Sequence, residues 1–229
     1  MFSVITSVMV AISASVTGAY VGTSGFSYPS WRGGFYPEKA RPAEFLDWFS
    51  ERLPSVELNT SFYQLPSEDQ FHRWAAQTPR EFRFAVKLSR RITHGGRLEL
   101  LPTFTEQARA LGERLGPILV QFPETRTRDD GFLRLVLDSL DPELEYAFEF
   151  RHESWAGADV PVHVNSFDGD APFRYFRLRD PPYDEETLRG WARRFRPVLD
   201  RGTRVYCYFK HEDEPTAPLY AQRLLELLR

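Results

Sequence analysis

Two glutamates in this chain sit where a carboxylate is costly. Glu57 lies within Val56-Glu-Leu-Asn59 and Glu149 within Tyr146-Ala-Phe-Glu-Phe150, apolar runs that read as strands. A carboxylate in a strand interior is unfavourable unless it is paired or faces a site. Strand side chains alternate between faces, so Glu57 shares a face with Asn59, and Glu149 with Arg151. Carboxylates beside cations can act as general acid and base or hydrogen-bond sugar hydroxyls. The cations suit a phosphate or carboxylate. The candidate catalytic residues are Glu57, Glu149, Lys87 and His152. The candidate substrate-binding residues are Ser24, Tyr28, Trp31, Asn59, Tyr63, Arg91, His94, Gln121, Arg151 and Trp155, the four aromatics as stacking walls. A structural alternative is a buried Glu149–Arg151 or Glu57–Lys87 ion pair. Lys87 reads as an electrostatic group, and as a Schiff-base former if it is desolvated.

These residues fall where short strand-like runs end. The runs are Tyr20–Thr23, Val56–Asn59, Phe82–Lys87, Ile118–Phe122, Tyr146–Phe150, Val160–Val164, Phe173–Leu178 and Val205–Phe209. All are rich in β-branched or aromatic residues and bounded by Gly, Pro or Asp. Helical stripes lie between them, over Pro42–Leu53, from the Ser67 N-cap, from a Thr103-Phe-Thr-Glu106 capping box, and over Asp130–Leu140, Asp184–Phe195 and Leu219–Leu228. Alternating strands and helices make βαβ units and a parallel sheet. No dinucleotide fingerprint or Walker A pattern occurs. The expected fold is an α/β, TIM-like (β/α) barrel of seven or eight parallel strands, whose sites lie at the carboxyl ends of the strands. Only Arg151–Asp159 separate Phe150 from Val160, too few for a helical crossover. Either the helix after the fifth strand is missing, or Val160–Val164 is a loop and seven strands remain.

Composition narrows the function. The 229 residues carry a net charge of −3, with 42% apolar and 27% charged, which excludes a disordered chain. Aromatics are unusually abundant at 15%. A nucleic-acid partner is the less favoured alternative, and no membrane partner is expected. The lone Cys207 excludes an internal disulfide and fits a reducing, cytoplasmic setting. No H-x-x-x-H or H-E-x-x-H spacing marks a metal centre, so no metal ligand is assigned and any cofactor stays unknown. Glu57, Glu149, His152 and His163 would have to converge in space to make one. Residues 1–18 are read as a non-essential extension ahead of a single barrel domain at 19–229.

Several segments in series resemble the domain-of-unknown-function 72 family, also called YecE-like. They are VGTSGFSYPSWRGGFYP, VELNTSFYQLPS, FRFAVKLSRRITH, LGPILVQFP, FEFRHESW and VYCYFKHED followed by APLYAQRLLELL. The resemblance runs from about Tyr20 to the C-terminus and implies a TIM-barrel-like fold. It marks Gly22, Ser24, Gly25, Trp31, Tyr36, Glu57, Asn59, Phe62, Tyr63, Lys87, His94, Gln121, Pro123, Glu149, Arg151, His152 and Trp155 as signature residues. The chain departs from the pattern in lacking a helix after the R-H-x-S-W motif. It also carries Arg177-Leu-Arg179-Asp180 in place of R-L-H-G, and Lys210 in place of Asn. Both substitutions add positive charge at the expected mouth. The favoured expectation is an enzyme acting on a phosphorylated sugar or other small anionic polyol by carboxylate acid/base chemistry. The alternatives are a metal-dependent, endonuclease-type barrel acting on nucleic acid and a non-catalytic ligand-binding barrel.

Overall fold

β-branched and aromatic runs form seven parallel strands: β1 Ala19–Ser24, β2 Ser55–Leu58, β3 Arg83–Lys87, β4 Leu115–Phe122, β5 Tyr146–Phe150, β6 Phe173–Leu178 and β7 Arg204–Lys210. The structure is a computed structural model describing residues 16–210 and 214–229. Most of the expected N-terminal extension, and His211, lie outside the described residues. The sheet order is β5-β4-β3-β2-β1-β7-β6, a barrel-shaped sheet open between β5 and β6. The helices are α1 Phe45–Ser50, α2 Thr60–Tyr63, α3 Glu68–Gln77, α4 Arg90–Thr93, α5 Leu101–Arg109, α6 Asp130–Ser139, α7 Glu185–Asp200 and α8 Thr216–Leu228. Side-chain caps start four of them: Ser67 accepts from Gln70 N–H, Ser89 from Arg91 N–H, Asp129 from Phe132 N–H and Asp184 from Thr187 N–H. The expected capping box at Thr103 is not used. Helix α5 begins at Leu101 with Pro102 in its first turn, where a missing N–H costs nothing.

The alternation of strand side chains splits the core in two. Outward residues pack against the helices in the larger cluster. Inward residues form a separate cluster of Ala85, Leu119, Ala147, Val162, Phe173, Tyr175, Tyr206 and Tyr208. Small side chains on β2, β3 and β5 face tyrosines on β6 and β7, Tyr20 of β1 stacks on Tyr206 with centroids 4.8 Å apart, and this large-to-small matching fills the barrel. The Ser55 and Tyr208 hydroxyls meet at 2.7 Å. Gly22 is required where β1 passes β2: a methyl group there would lie 1.7 Å from the Ser55 carbonyl oxygen. Above this layer the same inward register carries polar residues: Ser24 opposite Glu57 and Lys210, and Gln121 opposite Glu149.

Between β5 and β6 no α-helix forms among the described residues. A short 3-10 turn, Glu153–Trp155, is followed by irregular chain. Val160–Val164 is not a strand, yet it closes the sheet. Phe148 N–H donates to Val162 O, and Val164 N–H donates to Phe148 O, both at 2.8 Å. Asn165 then takes over on the β6 side. Its N–H donates to Tyr175 O at 2.8 Å, its side-chain amide donates to Arg177 O at 3.2 Å, and its side-chain oxygen accepts from Arg177 N–H at 2.7 Å. Asn165 thus supplies from its side chain the ladder bonds an eighth strand would give. It does so at φ 64°, a left-handed conformation Asn tolerates better than most residues.

The outer face left bare by the missing helix is covered by aromatics. Trp155 is buried, stacks on Phe150 with centroids 4.8 Å apart, and lies 5.2 Å from Phe122. Its indole N–H donates to Arg126 O at 2.8 Å. Part of the high aromatic content therefore stands in for a helix.

Candidate functional site

The ends of β1 to β6 and two short helices build the mouth. Glu57, at the end of β2, is fully buried. Its Oε1 accepts from Ser24 Oγ at 2.7 Å, Arg177 Nη2 at 2.8 Å and Asn59 Nδ2 at 3.2 Å, and its Oε2 accepts from the Tyr175 hydroxyl at 2.8 Å. Burial opposes its charge, but the Arg177 guanidinium and these hydrogen bonds outweigh it and hold the carboxyl below its usual range. Glu149, at the end of β5, accepts from Gln121, from Arg177 Nη1 at 2.6 Å and from Arg179 at 3.2 Å. Its side chain keeps 14% exposure, against none for Glu57.

Arg177 therefore bridges both glutamates. Its side chain is 6% exposed, and its Nε finds no partner among the described residues. The ion-pair alternative is met here by a different cation. Period two turns Tyr175 and Arg177 of β6 into the barrel, whereas Arg151 lies beyond the end of β5 and is exposed.

Lys87 is buried at the end of β3, with Nζ 3.8 Å from the centre of the Phe62 ring. Among the described residues no carboxylate lies within ion-pair distance of it. Burial first, then the Arg177 charge, brings its amine down to about 8. Helix α2 places Phe62, and Ser61 locks that helix to β3 by donating to Lys87 O at 2.7 Å. His94, at the end of α4, lies edge-on to Phe62 at 5.1 Å. Its Nδ1 is 2.8 Å from Thr93 Oγ1, and its carbonyl accepts from Arg126 at 3.0 Å. Burial and the charges of Lys87, Arg126 and Arg151 lower the affinity of His94 for a proton. Tyr63 is exposed and carries Arg90 over its ring at 5.6 Å. Arg91 is exposed on α4.

Other candidates stand apart. Trp31 is buried against Tyr28, Phe35 and Tyr36, and Trp155 is buried under Phe150, so neither forms an open wall. Tyr28 donates to Ser24 O at 2.9 Å, and burial with the nearby Glu57 charge pushes its phenol up to about 12. His152 turns onto its own loop, with Nδ1 2.9 Å from Ser154 Oγ, and His163 lies 2.7 Å from Ala158 O. Among the described residues no three His, Cys, Asp or Glu gather as a ligand set, so these two histidines do not converge with the glutamates. A cavity of about 560 Å3 opens beside the mouth. Tyr28, Leu58 and Asn59 line its barrel side, and Leu46 and Trp74 its helix side. Asn59 joins it to Glu57.

The sequence places Arg177 and Arg179 at the expected mouth but does not single them out as site residues. The signal was there: an arginine inside the apolar run FRYFRL is as costly as a glutamate inside YAFEF.

Residues 20–167 match the family described as "Protein of unknown function DUF72". The chain belongs to the DUF72 family. It is 32% identical over 139 residues to UPF0759 protein YecE of Escherichia coli, covering 58% of this chain and 48% of that protein. It is 28% identical over 149 residues to UPF0759 protein YunF of Bacillus subtilis, covering 59% and 51%. The aligned part thus spans about half the length of these curated relatives. A DUF72 family protein from Thermotoga maritima superposes with a TM-score of 0.77 at 27% identity, over 92% of this chain and 98% of that one. One from Enterococcus faecalis superposes at 0.74 with 18% identity, over 92% and 95%, a likeness of fold. Glu57, Lys87 and Glu149 lie within the residues that match DUF72, whereas Arg177, Arg179 and Lys210 lie beyond them. No described helix is long and apolar enough to cross a membrane.

Proposed function

We propose that the mouth binds a small phosphorylated polyol and acts on it as an enzyme. The observation that carries this reading is the set of cations Lys87, Arg126 and Arg151 around His94, whose proton affinity they lower. All three bear on His94 electrostatically, and among the described residues none is in ion-pair contact with a carboxylate, Glu57 and Glu149 being held by Arg177. Cations held together at a barrel mouth without counter-ions favour an anion, which forms charge-assisted hydrogen bonds with them. The neighbouring cavity, with Leu46, Leu58 and Trp74 in its lining, suits the carbon skeleton.

The two glutamates divide the work. Glu57, buried and held ionised, positions Arg177. Glu149 keeps exposure and faces substrate as the carboxylate for proton transfer, with Lys87 as the second transfer group. The single buried cysteine fits a cytoplasmic protein.

Titration calorimetry with inorganic phosphate tests the anion site. Replacing Arg151 by Met should weaken binding about 10- to 100-fold, the worth of one charge-assisted hydrogen bond. Glu149→Gln should keep phosphate binding and abolish turnover in a sugar-phosphate panel. Unchanged phosphate affinity in the Arg151 variant would sink the anion reading.

A further inference from the structure

We propose that the Lys87 amine forms a covalent imine with a phosphorylated open-chain aldehyde or ketone sugar held at the mouth. The inference rests on the anionic-polyol reading above and names the substrate's reactive group. Lys87 ends β3 on the inward register, is buried, and has the Phe62 ring 3.8 Å from its Nζ. The two glutamates that could neutralise it are engaged by Arg177. Burial beside a guanidinium makes this amine release its proton more readily than an exposed lysine, and outweighs the Phe62 ring and the Glu57 and Glu149 charges, which favour the ammonium. Burial and Arg177 together bring it to about 8. A desolvated amine next to another cation is an activated nucleophile.

The choice of residue points the same way. The chain has three lysines, Lys39, Lys87 and Lys210, and meets its other cationic needs with arginine. Arginine would serve a purely electrostatic role here, but it does not deprotonate. Lys39 and Lys210 are exposed; Lys87 is not.

The step balances without a redox partner. The neutral amine donates its lone pair to the carbonyl carbon, forming a C–N bond. The carbonyl π electrons move to oxygen, which takes the proton the nitrogen releases, giving a carbinolamine. A proton from solvent then lets the hydroxyl leave as water, and the nitrogen lone pair forms the C=N bond of a protonated imine.

Reductive trapping tests this. The full chain is incubated with D-glyceraldehyde 3-phosphate and cyanoborohydride, and adducts are located by peptide mass spectrometry. Phosphate binding is measured in parallel by calorimetry. The expected result is an adduct on Lys87 at least about tenfold faster than on Lys39 or Lys210 at pH 7, since the neutral amine is far more populated there. Inorganic phosphate should suppress it, and unphosphorylated glyceraldehyde should give little. Lys87→Arg should abolish the adduct while still binding phosphate. If that variant does not fold, the wild-type pH profile decides: labelling of Lys87 should rise through pH 8 rather than through the ~10.4 of an ordinary lysine. Phosphate binding with no preference for Lys87 would overturn the imine and leave the anion site standing. A Lys87 adduct that phosphate neither suppresses nor favours would instead overturn the anion reading.

Discussion

Arg177 and Lys87 carry opposite stability consequences. Arg177 compensates Glu57 at a position with no access to water. Replacing it by Met leaves that carboxylate buried without a counter-charge, and should cost about 3–5 kcal/mol in denaturant unfolding at pH 7. A loss below about 1 kcal/mol would show that the bridge is not structural. Lys87 is the reverse case. Its amine is lowered to about 8 in the fold, from 10.5. Its protonation penalty is therefore fully present below pH 8 and is relieved as pH rises from 8 towards 10.5. Lys87→Met should accordingly stabilise the protein at pH 7 by roughly 1–3 kcal/mol, the size of penalty such a shift implies, while weakening phosphate binding. Equal or lower stability of the variant at pH 7 would contradict this account of its surroundings. The carboxylates themselves could be picked out by their cost inside apolar runs. Arg177 could be picked out on the same ground, but not as their shared partner, because it is 120 residues from Glu57 and 28 from Glu149.

The segment from Arg151 to Pro172 does with single side chains what neighbouring units do with helices. Its shortness was plain from the nine residues between Phe150 and Val160. Its means of closure was not. Val160–Val164 has the composition of a strand, but Pro161 lacks the N–H a ladder needs, and the chain leaves the pairing direction at Asn165. The left-handed turn there lets a side-chain amide replace backbone pairing to Arg177. Trp155 replaces the missing helix over Phe150 and Phe122. Trp155→Ala should therefore cost about 3–5 kcal/mol, as for a buried aromatic with no means of collapse. Differential scanning calorimetry checks it, and a loss under about 1 kcal/mol would mean the surface is covered by something else. Helix ends were read less well than strands. The Thr103 capping signal lost to Pro102, which fixes the first turn of α5 earlier in the chain.

At the scale of the whole barrel, the inward register stacks tyrosines and small residues below a layer of charge. Glu57 sits fully buried at the join, with its carboxyl held below the ordinary range of 4.5. The stability it contributes is present above the unfolded value and is lost as pH falls through the lower folded one. Unfolding followed by circular dichroism between pH 7 and 3 should show stability falling with acid, and Glu57→Gln should flatten that fall. An acid limb of unchanged steepness in the variant would remove Glu57 from the account. Alternation of period two and period 3.6 determined the parallel α/β architecture, the short fifth crossover and the end of the barrel where polar residues gather. Those are local properties, written in runs of five to fifteen residues. The tertiary structure alone decided that Arg177 spans both glutamates, that Trp31 and Trp155 turn away from the mouth, and that Lys87 is left desolvated without a counter-ion. Each depends on which strand ends meet around the barrel, and that register is set by packing the barrel tyrosines with Ser55, Ala85 and Ala147 and by the close pass of β1 over β2 at Gly22.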